Sequence, residues 1–78
     1  MDKEKFNIAV GLFFREHRKA KKLTYEQVGE LVGRNKSWYR EVERGRINAK
    51  FNDIVNLCEV LEVDINELGK FAYDRSKQ

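Results

Sequence analysis

Three basic residues recur at four-residue intervals in the segment QVGELVGRNKSWYREVERG, residues 27–45: Lys36, Arg40 and Arg44. On an α-helix this spacing places the three side chains along one face. A basic face can bind the phosphates of a nucleotide, an anionic membrane surface or the backbone of a nucleic acid. The segment is therefore predicted to bind an anion. The spacing of its glycines bears on which of these three kinds of anion it binds.

The spacing of the two glycines argues against a nucleotide-binding loop. A Walker A loop has four residues between its glycines and a Lys-Ser or Lys-Thr pair directly after the second glycine. Here three residues separate Gly29 from Gly33, and Arg34 and Asn35 come before Lys36. No strong strand signal precedes the segment either, so a nucleotide-binding loop is not predicted here.

Five amphipathic helices are predicted to position the segment, and no alternating strand pattern is found. Their approximate bounds are 3–21, 24–32, 36–44, 51–61 and 65–73. Thr24 and Gln27 predict a capping box at the start of the second helix. Gly33 is placed to end that helix in a left-handed conformation, and Asn35 to cap the third helix.

The charge of the chain is divided along its length, although the net charge is only +3. Residues 15–22 carry five Lys or Arg against one Glu, and residues 34–50 carry six against two. Residues 51–68 carry five Asp or Glu and no basic residue. Two basic blocks favour a polyanion, most commonly nucleic acid, although two solvated helix faces would have the same composition.

Length and composition predict a single domain over residues 1–78, because 78 residues suit one hydrophobic core. The single cysteine cannot form an internal disulfide, which favours the reducing cytoplasm. No signal-like or membrane-spanning apolar run is found. We therefore expect a cytoplasmic protein that does not associate with a membrane.

Both glycines suit two short helices that cross at a sharp angle. A tight turn needs a residue that tolerates positive φ, which Gly33 supplies, and a close crossing needs a very small side chain, which Gly29 supplies. Tyr39 and Val42 then face inward from the third helix. Its outer face carries Lys36, Ser37, Arg40, Glu41 and Arg44.

The segment LTYEQVGELVGRNKSWYREVERGR resembles the helix-turn-helix of the phage repressor/Cro-type (XRE-like) transcriptional regulators. The resemblance extends without gaps from about Val10 to Leu68 and includes Gly11 and Arg18. It implies an all-α, compact five-helix, lambda-repressor-like domain with its helix-turn-helix at about residues 24–45. It further implies binding to a double-stranded DNA operator and regulation of transcription, which we expect to be repression by a homodimer on an inverted repeat.

The resemblance also assigns expected roles to individual residues. Four side chains are expected to read bases: Lys36, Ser37, Arg40 and Glu41. Seven lie where the family holds phosphates: Thr24, Tyr25, Asn35, Arg44, Arg46, Asn48 and Lys50. Arg18 and Glu43 are expected to form a structural ion pair. Because Tyr25 replaces a usual glutamine and Arg34 a usual apolar turn residue, operator contacts are not transferable from relatives.

Several aromatic residues have two possible interpretations. Trp38 either packs at the edge of the domain or lies along the DNA. A five-helix core does not obviously need all three of Phe13, Phe71 and Tyr73. Either the three residues form a dimer patch, or Phe13 and Phe71 fill the core of the domain. The expectation of a homodimer depends on Leu68, Phe71 and Tyr73.

Two rival functions use the same fold or the same charge. A protein-binding module, similar to an antitoxin or antirepressor, would use the acidic 51–68 surface, and an RNA-binding protein would prefer single strands or loops. An enzyme is not expected, because no nucleophile lies beside a credible base. No cofactor or metal is expected either, since His17 is interpreted as a core or boundary residue and Cys58 as a small hydrophobic residue.

Overall fold

Five helices form the part of the chain that the computed structural model describes, residues 2–77, and no strand occurs within that range. They are α1 (Lys3–Ala20), α2 (Tyr25–Leu31), α3 (Lys36–Glu43), α4 (Phe51–Leu61) and α5 (Ile65–Ser76). The predicted all-α, five-helix class is confirmed. Helix α5 continues three residues past its predicted end at Tyr73, because no helix-breaking residue follows and Arg75 packs over the Phe71 ring at 4.5 Å.

The predicted helix ends are confirmed where local hydrogen bonding defines them. The Gln27 amide donates to Thr24 Oγ1 at 3.1 Å, and the Thr24 amide donates to Gln27 Oε1 at 2.8 Å, which completes the capping box. Asn35 Oδ1 accepts from the Trp38 amide at 2.8 Å at the start of α3. Gly33 has φ of +73°, the left-handed conformation that ends α2.

The core lies where α1 crosses α3 and packs along α5. Phe14, Val28, Tyr39 and Leu57 are completely buried there, and Val42 almost so. The predicted inward positions of Tyr39 and Val42 are therefore confirmed. Their burial turns the opposite face of α3 outward, so the core determines which side chains of this helix are accessible.

The expected dimer patch needs correction. Leu68 and Phe13 are buried in the core, and the half-buried Phe71 ring lies 5.4 Å from that of Phe13. Because α5 packs against α1, these side chains stabilise the domain itself. Tyr73 alone of the four is exposed. These four residues therefore do not form the expected exposed apolar patch, and a dimer surface has to include other exposed side chains.

The two residues with possible metal-binding or redox chemistry have structural roles. The His17 ring lies at the domain boundary, 4.5 Å from the Phe13 ring. Cys58 is buried, and this burial, followed by the charge of Asp64, raises the pKa of its thiol. Residues 2–77 contain no cluster of three or more metal-ligating side chains, and no helix there is long and apolar enough to span a membrane.

Candidate nucleic-acid interface

Helix α2 lies close against the start of α3 at Gly29. A Cβ atom on Gly29 would lie 2.7 Å from the carbonyl carbon and oxygen of Asn35. The Arg34 amide donates to the Gly29 carbonyl at 2.8 Å across the turn. The start of α3 is thus held directly against the end of α2, which is the arrangement of a helix-turn-helix.

The four expected base-reading residues share the outward face of α3, at positions i, i+1, i+4 and i+5. Lys36 and Ser37 in its first turn are exposed, whereas Arg40 and Glu41 in its second turn are half-buried. The Glu41 carboxylate lies 3.5 Å from Arg46 Nη1 and 3.7 Å from Arg44 Nη1. The first turn is therefore free to meet a ligand, while Glu41 is already shared between two guanidinium groups.

The expected phosphate-binding residues lie at both ends of α3. Thr24 and Tyr25 line a shallow cavity of about 360 Å³ together with Glu26 and Lys36, at the start of α3. The exposed Asn35 immediately precedes that helix. The remaining four follow the helix and are all exposed: Arg44, Arg46, Asn48 and Lys50. Cationic or hydrogen-bonding side chains thus flank the outward face at both ends.

A buried ion pair ties the end of α3 to α1. Arg18 donates from Nε to Glu43 Oε2 at 2.6 Å and from Nη2 to Glu43 Oε1 at 3.2 Å. Its Nη1 also donates to the Leu23 carbonyl at 2.9 Å. The hydrogen bonds that Arg18 donates to the Glu43 carboxylate raise the pKa of the guanidinium, so the group stays charged. The expected partners Arg18 and Glu43 therefore lie together, and they connect α1, α3 and the start of α2.

Tyr25 and Tyr39 surround this ion pair. The Arg18 guanidinium lies 4.3 Å from the Tyr25 ring centroid, and the two tyrosine rings are 6.2 Å apart. The buried Tyr39 hydroxyl makes no hydrogen bond within residues 2–77. Burial raises the pKa of this phenol, and the nearby Glu43 carboxylate adds to the rise. Tyr25, at the start of α2, is therefore positioned by the same buried group that anchors α3.

The sequence did not indicate a second ion pair, between the turn and α4. Arg34 donates from Nη2 to Asp53 Oδ2 at 2.8 Å, and its guanidinium lies 4.8 Å from the Trp38 ring centroid. Trp38 is half-buried against the core, which agrees with the edge-packing interpretation. The only signal in the sequence was an arginine where relatives have an apolar residue.

A short helix pair with a tight turn and an outward, basic second helix defines a helix-turn-helix DNA-binding protein. The model of the helix-turn-helix domain family matches residues 9–71, so the chain belongs to that family. The resemblance to the XRE-like transcriptional regulators is thereby confirmed. No curated protein sequence matches the chain significantly.

Two solved structures have closely similar folds. The restriction-modification controller protein C.AhdI from Aeromonas hydrophila is 32% identical, with a TM-score of 0.80 over 87% of this chain and 99% of that one. The clp gene regulator ClgR from Corynebacterium glutamicum is 22% identical, with a TM-score of 0.83 over 88% of this chain and 73% of that one. At that lower identity ClgR supports the fold alone. The fold is therefore that of DNA-binding gene regulators.

Proposed function

We propose that this protein binds a double-stranded DNA operator sequence-specifically and represses transcription from it. Helix α3 enters the major groove, with its first turn toward the bases. The observation that carries the proposal is the exposed pair Lys36 and Ser37 at the start of a helix that is anchored at both ends. A free basic turn on a rigid support suits base recognition, because base contacts need precise placement.

Base discrimination and overall affinity have different sources in this proposal. Lys36 donates to the acceptors of guanine, Glu41 accepts from the cytosine amino group, and each good contact discriminates by about 1–3 kcal/mol. Arg40 and Ser37 complete the reading face. Affinity comes from the phosphate contacts, which release counterions and make binding depend on salt. Those contacts are assigned to Thr24, Tyr25, Asn35, Arg44, Arg46, Asn48 and Lys50.

A homodimer on an inverted repeat is part of the proposal, because one eight-residue helix reads only a few base pairs. Among residues 2–77 the most exposed large apolar side chain is Phe51, 73% accessible, with Val55 one turn further along α4. Beside Phe51 lies an apolar cavity of about 280 Å³, lined by Phe6, Val10, Ala49, Ile54, Ile65 and Leu68. An apolar side chain next to an apolar cavity suits the self-complementary contact of a twofold dimer.

The test of operator binding is selection of bound duplexes from a randomised pool at about 50 mM and about 200 mM salt. We expect an enriched inverted repeat with half-sites about one helical turn apart and steep salt dependence. Weak enrichment with the same salt dependence would contradict sequence-specific binding, since it would leave only attraction between a basic surface and phosphate. A single enriched half-site would contradict the dimer.

The rival function, a protein-binding module that uses the acidic 51–68 surface, predicts that reversal of charge on α3 leaves an interaction of α4 and α5 with a partner protein intact. The double variant Lys36→Glu/Arg40→Glu should lose binding to the selected duplex. The control Arg15→Glu/Lys19→Glu also reverses two basic residues, both exposed and both on α1. It should lose only the salt-dependent part of its affinity for DNA. Equal losses in the two variants would show that net charge, and not α3, is responsible for binding.

A further inference from the structure

Arg34 connects the turn of the helix-turn-helix to a helix outside the motif. Its guanidinium donates to both carboxylate oxygens of Asp53 in the first turn of α4, from Nη2 at 2.8 Å and from Nε at 3.4 Å. This two-point contact fixes the orientation of the planar guanidinium as well as its position. A single charge contact would leave the group free to rotate.

The same guanidinium covers the ring of Trp38, in the first turn of α3. Its central carbon lies 4.8 Å from the ring centroid, within the range of a cation–π contact. The amide of Trp38 is bound by Asn35, and the amide of Arg34 by Gly29. Arg34 is therefore joined to α2 by its backbone, and to α4 and α3 by its side chain.

Asp53 is not part of the exposed acidic surface, although it belongs to the acidic 51–68 segment. Only 5% of the residue is exposed, and its carboxylate is paired with Arg34. A buried carboxylate needs a partner, so Asp53 holds the guanidinium firmly in place. In the sequence, Lys36 and Ser37 lie between Arg34 and Trp38, the two residues that this contact holds together.

We propose that Arg34 and Asp53 are positioning residues that determine the sequence specificity of the interface. Through Trp38 they fix the first turn of α3, and with it the reach of Lys36 and Ser37 into the groove. Base contacts are lost when a donor moves by about 1 Å, whereas long Lys and Arg side chains follow a phosphate over a larger range. The inference rests on the proposed function, because it concerns how that interface discriminates among sequences.

The test is the double variant Arg34→Met/Asp53→Asn, which removes the ion pair at constant net charge and leaves no unpaired carboxylate. The control Lys21→Met/Glu62→Gln removes the exposed ion pair between Lys21 and Glu62, also at constant net charge. We expect the ratio of affinities for selected and scrambled duplexes to fall about tenfold or more in the first variant and to stay constant in the control. Binding to the scrambled duplex should change by less than about twofold in both. An unchanged ratio in the first variant would overturn the inference.

A second measurement needs no DNA. Trp38 is the single tryptophan of the chain, so quenching of its fluorescence by acrylamide reports on this ring alone. We expect faster quenching in Arg34→Met/Asp53→Asn under conditions in which the variant is fully folded, and no change in the control. Unchanged quenching would overturn the inference even if the protein selects an operator. Failure of the wild-type protein to select any sequence, with faster quenching in the variant, would contradict the proposed function and leave the positioning of Trp38 established.

Discussion

Each end of α3 is held by an ion pair and by a close glycine contact, and the ion pair at the C-terminal end is the more deeply buried of the two. At its C-terminal end, Arg18 pairs with Glu43, and only 10% and 3% of these side chains are exposed. At its N-terminal end, Arg34 pairs with Asp53, and the corresponding values are 41% and 7%. A glycine also allows close backbone contact at each end, Gly11 on α1 and Gly29 on α2.

This difference in depth indicates a division of roles. The C-terminal anchor lies in the core and fixes α3 to the longest helix, so its loss should affect the stability of the whole domain. The N-terminal anchor lies beside the exposed residues of the first turn, so its loss should affect recognition more than stability.

Loss of each arginine separates the two anchors most strongly. Arg18→Met leaves the Glu43 carboxylate buried without its partner, and we expect it to lower the free energy of unfolding by about 3–5 kcal/mol. Arg34→Met should lower the free energy of unfolding by only about 1–2 kcal/mol. The Arg34 side chain is 41% exposed, so its removal lets water reach the Asp53 carboxylate. Urea denaturation followed by circular dichroism measures both. Equal losses would contradict the difference between the two ends.

Removal of both partners at the C-terminal end provides the control. Arg18→Met/Glu43→Gln leaves no buried charge, so it should recover part of the stability that Arg18→Met loses. If the double variant were less stable than Arg18→Met, the cost would not come from the unpaired carboxylate.

Glycine substitutions test the close backbone contacts. In Gly11→Ala the new Cβ would lie 2.3 Å from the Glu43 carbonyl oxygen, and in Gly29→Ala 2.7 Å from that of Asn35. Because backbone atoms must move in both, we expect losses of about 1–3 kcal/mol, larger for Gly11→Ala. Gly69→Ala is the control, since no atom outside its own helix backbone and chain neighbours lies within 4 Å of its Cβ and alanine favours the helix by up to about 1 kcal/mol. A Gly11→Ala variant as stable as Gly69→Ala would refute the tight α1–α3 contact.

The dry environment at the C-terminal end predicts a dependence of stability on alkaline pH. The pKa of Tyr39 is raised in the folded state above its ordinary value of 10.0, mainly by burial. Its contribution to stability is therefore fully present below pH 10 and declines as pH rises further, by up to about 1.4 kcal/mol per pH unit. Denaturation of wild type and Tyr39→Phe at increasing pH measures the difference between their slopes. Parallel curves would contradict burial of a neutral phenol at this site.

The features that could be predicted from the sequence are those that depend on neighbours along the chain. The capping box of Thr24 and Gln27, the positive φ of Gly33 and the inward faces of Tyr39 and Val42 follow from spacing and from local hydrogen bonding. The proximity of Arg18 and Glu43, 25 residues apart, was implied by the family resemblance and not by spacing.

Contacts between distant helices could not be predicted in the same way. Arg34 and Asp53 meet across 19 residues because α4 packs its first turn against the helix-turn-helix, and no periodicity encodes that placement. For the same reason, Phe13, Leu68 and Phe71 were assigned to a dimer surface or left open, whereas the packing of α5 on α1 takes them into the domain. The sequence identified the candidate interface, and tertiary packing determined how it is held.

Base recognition by the first turn of α3 can be measured from the affinities of Lys36→Ala and Arg46→Ala for all single-base variants of the selected half-site. Lys36→Ala should lose discrimination at one or two adjacent positions, by about 1–3 kcal/mol, and keep it elsewhere. Arg46→Ala should weaken binding uniformly and reduce the salt dependence by about one counterion. Uniform weakening in both variants, with discrimination intact at every position, would contradict base recognition by the first turn of α3.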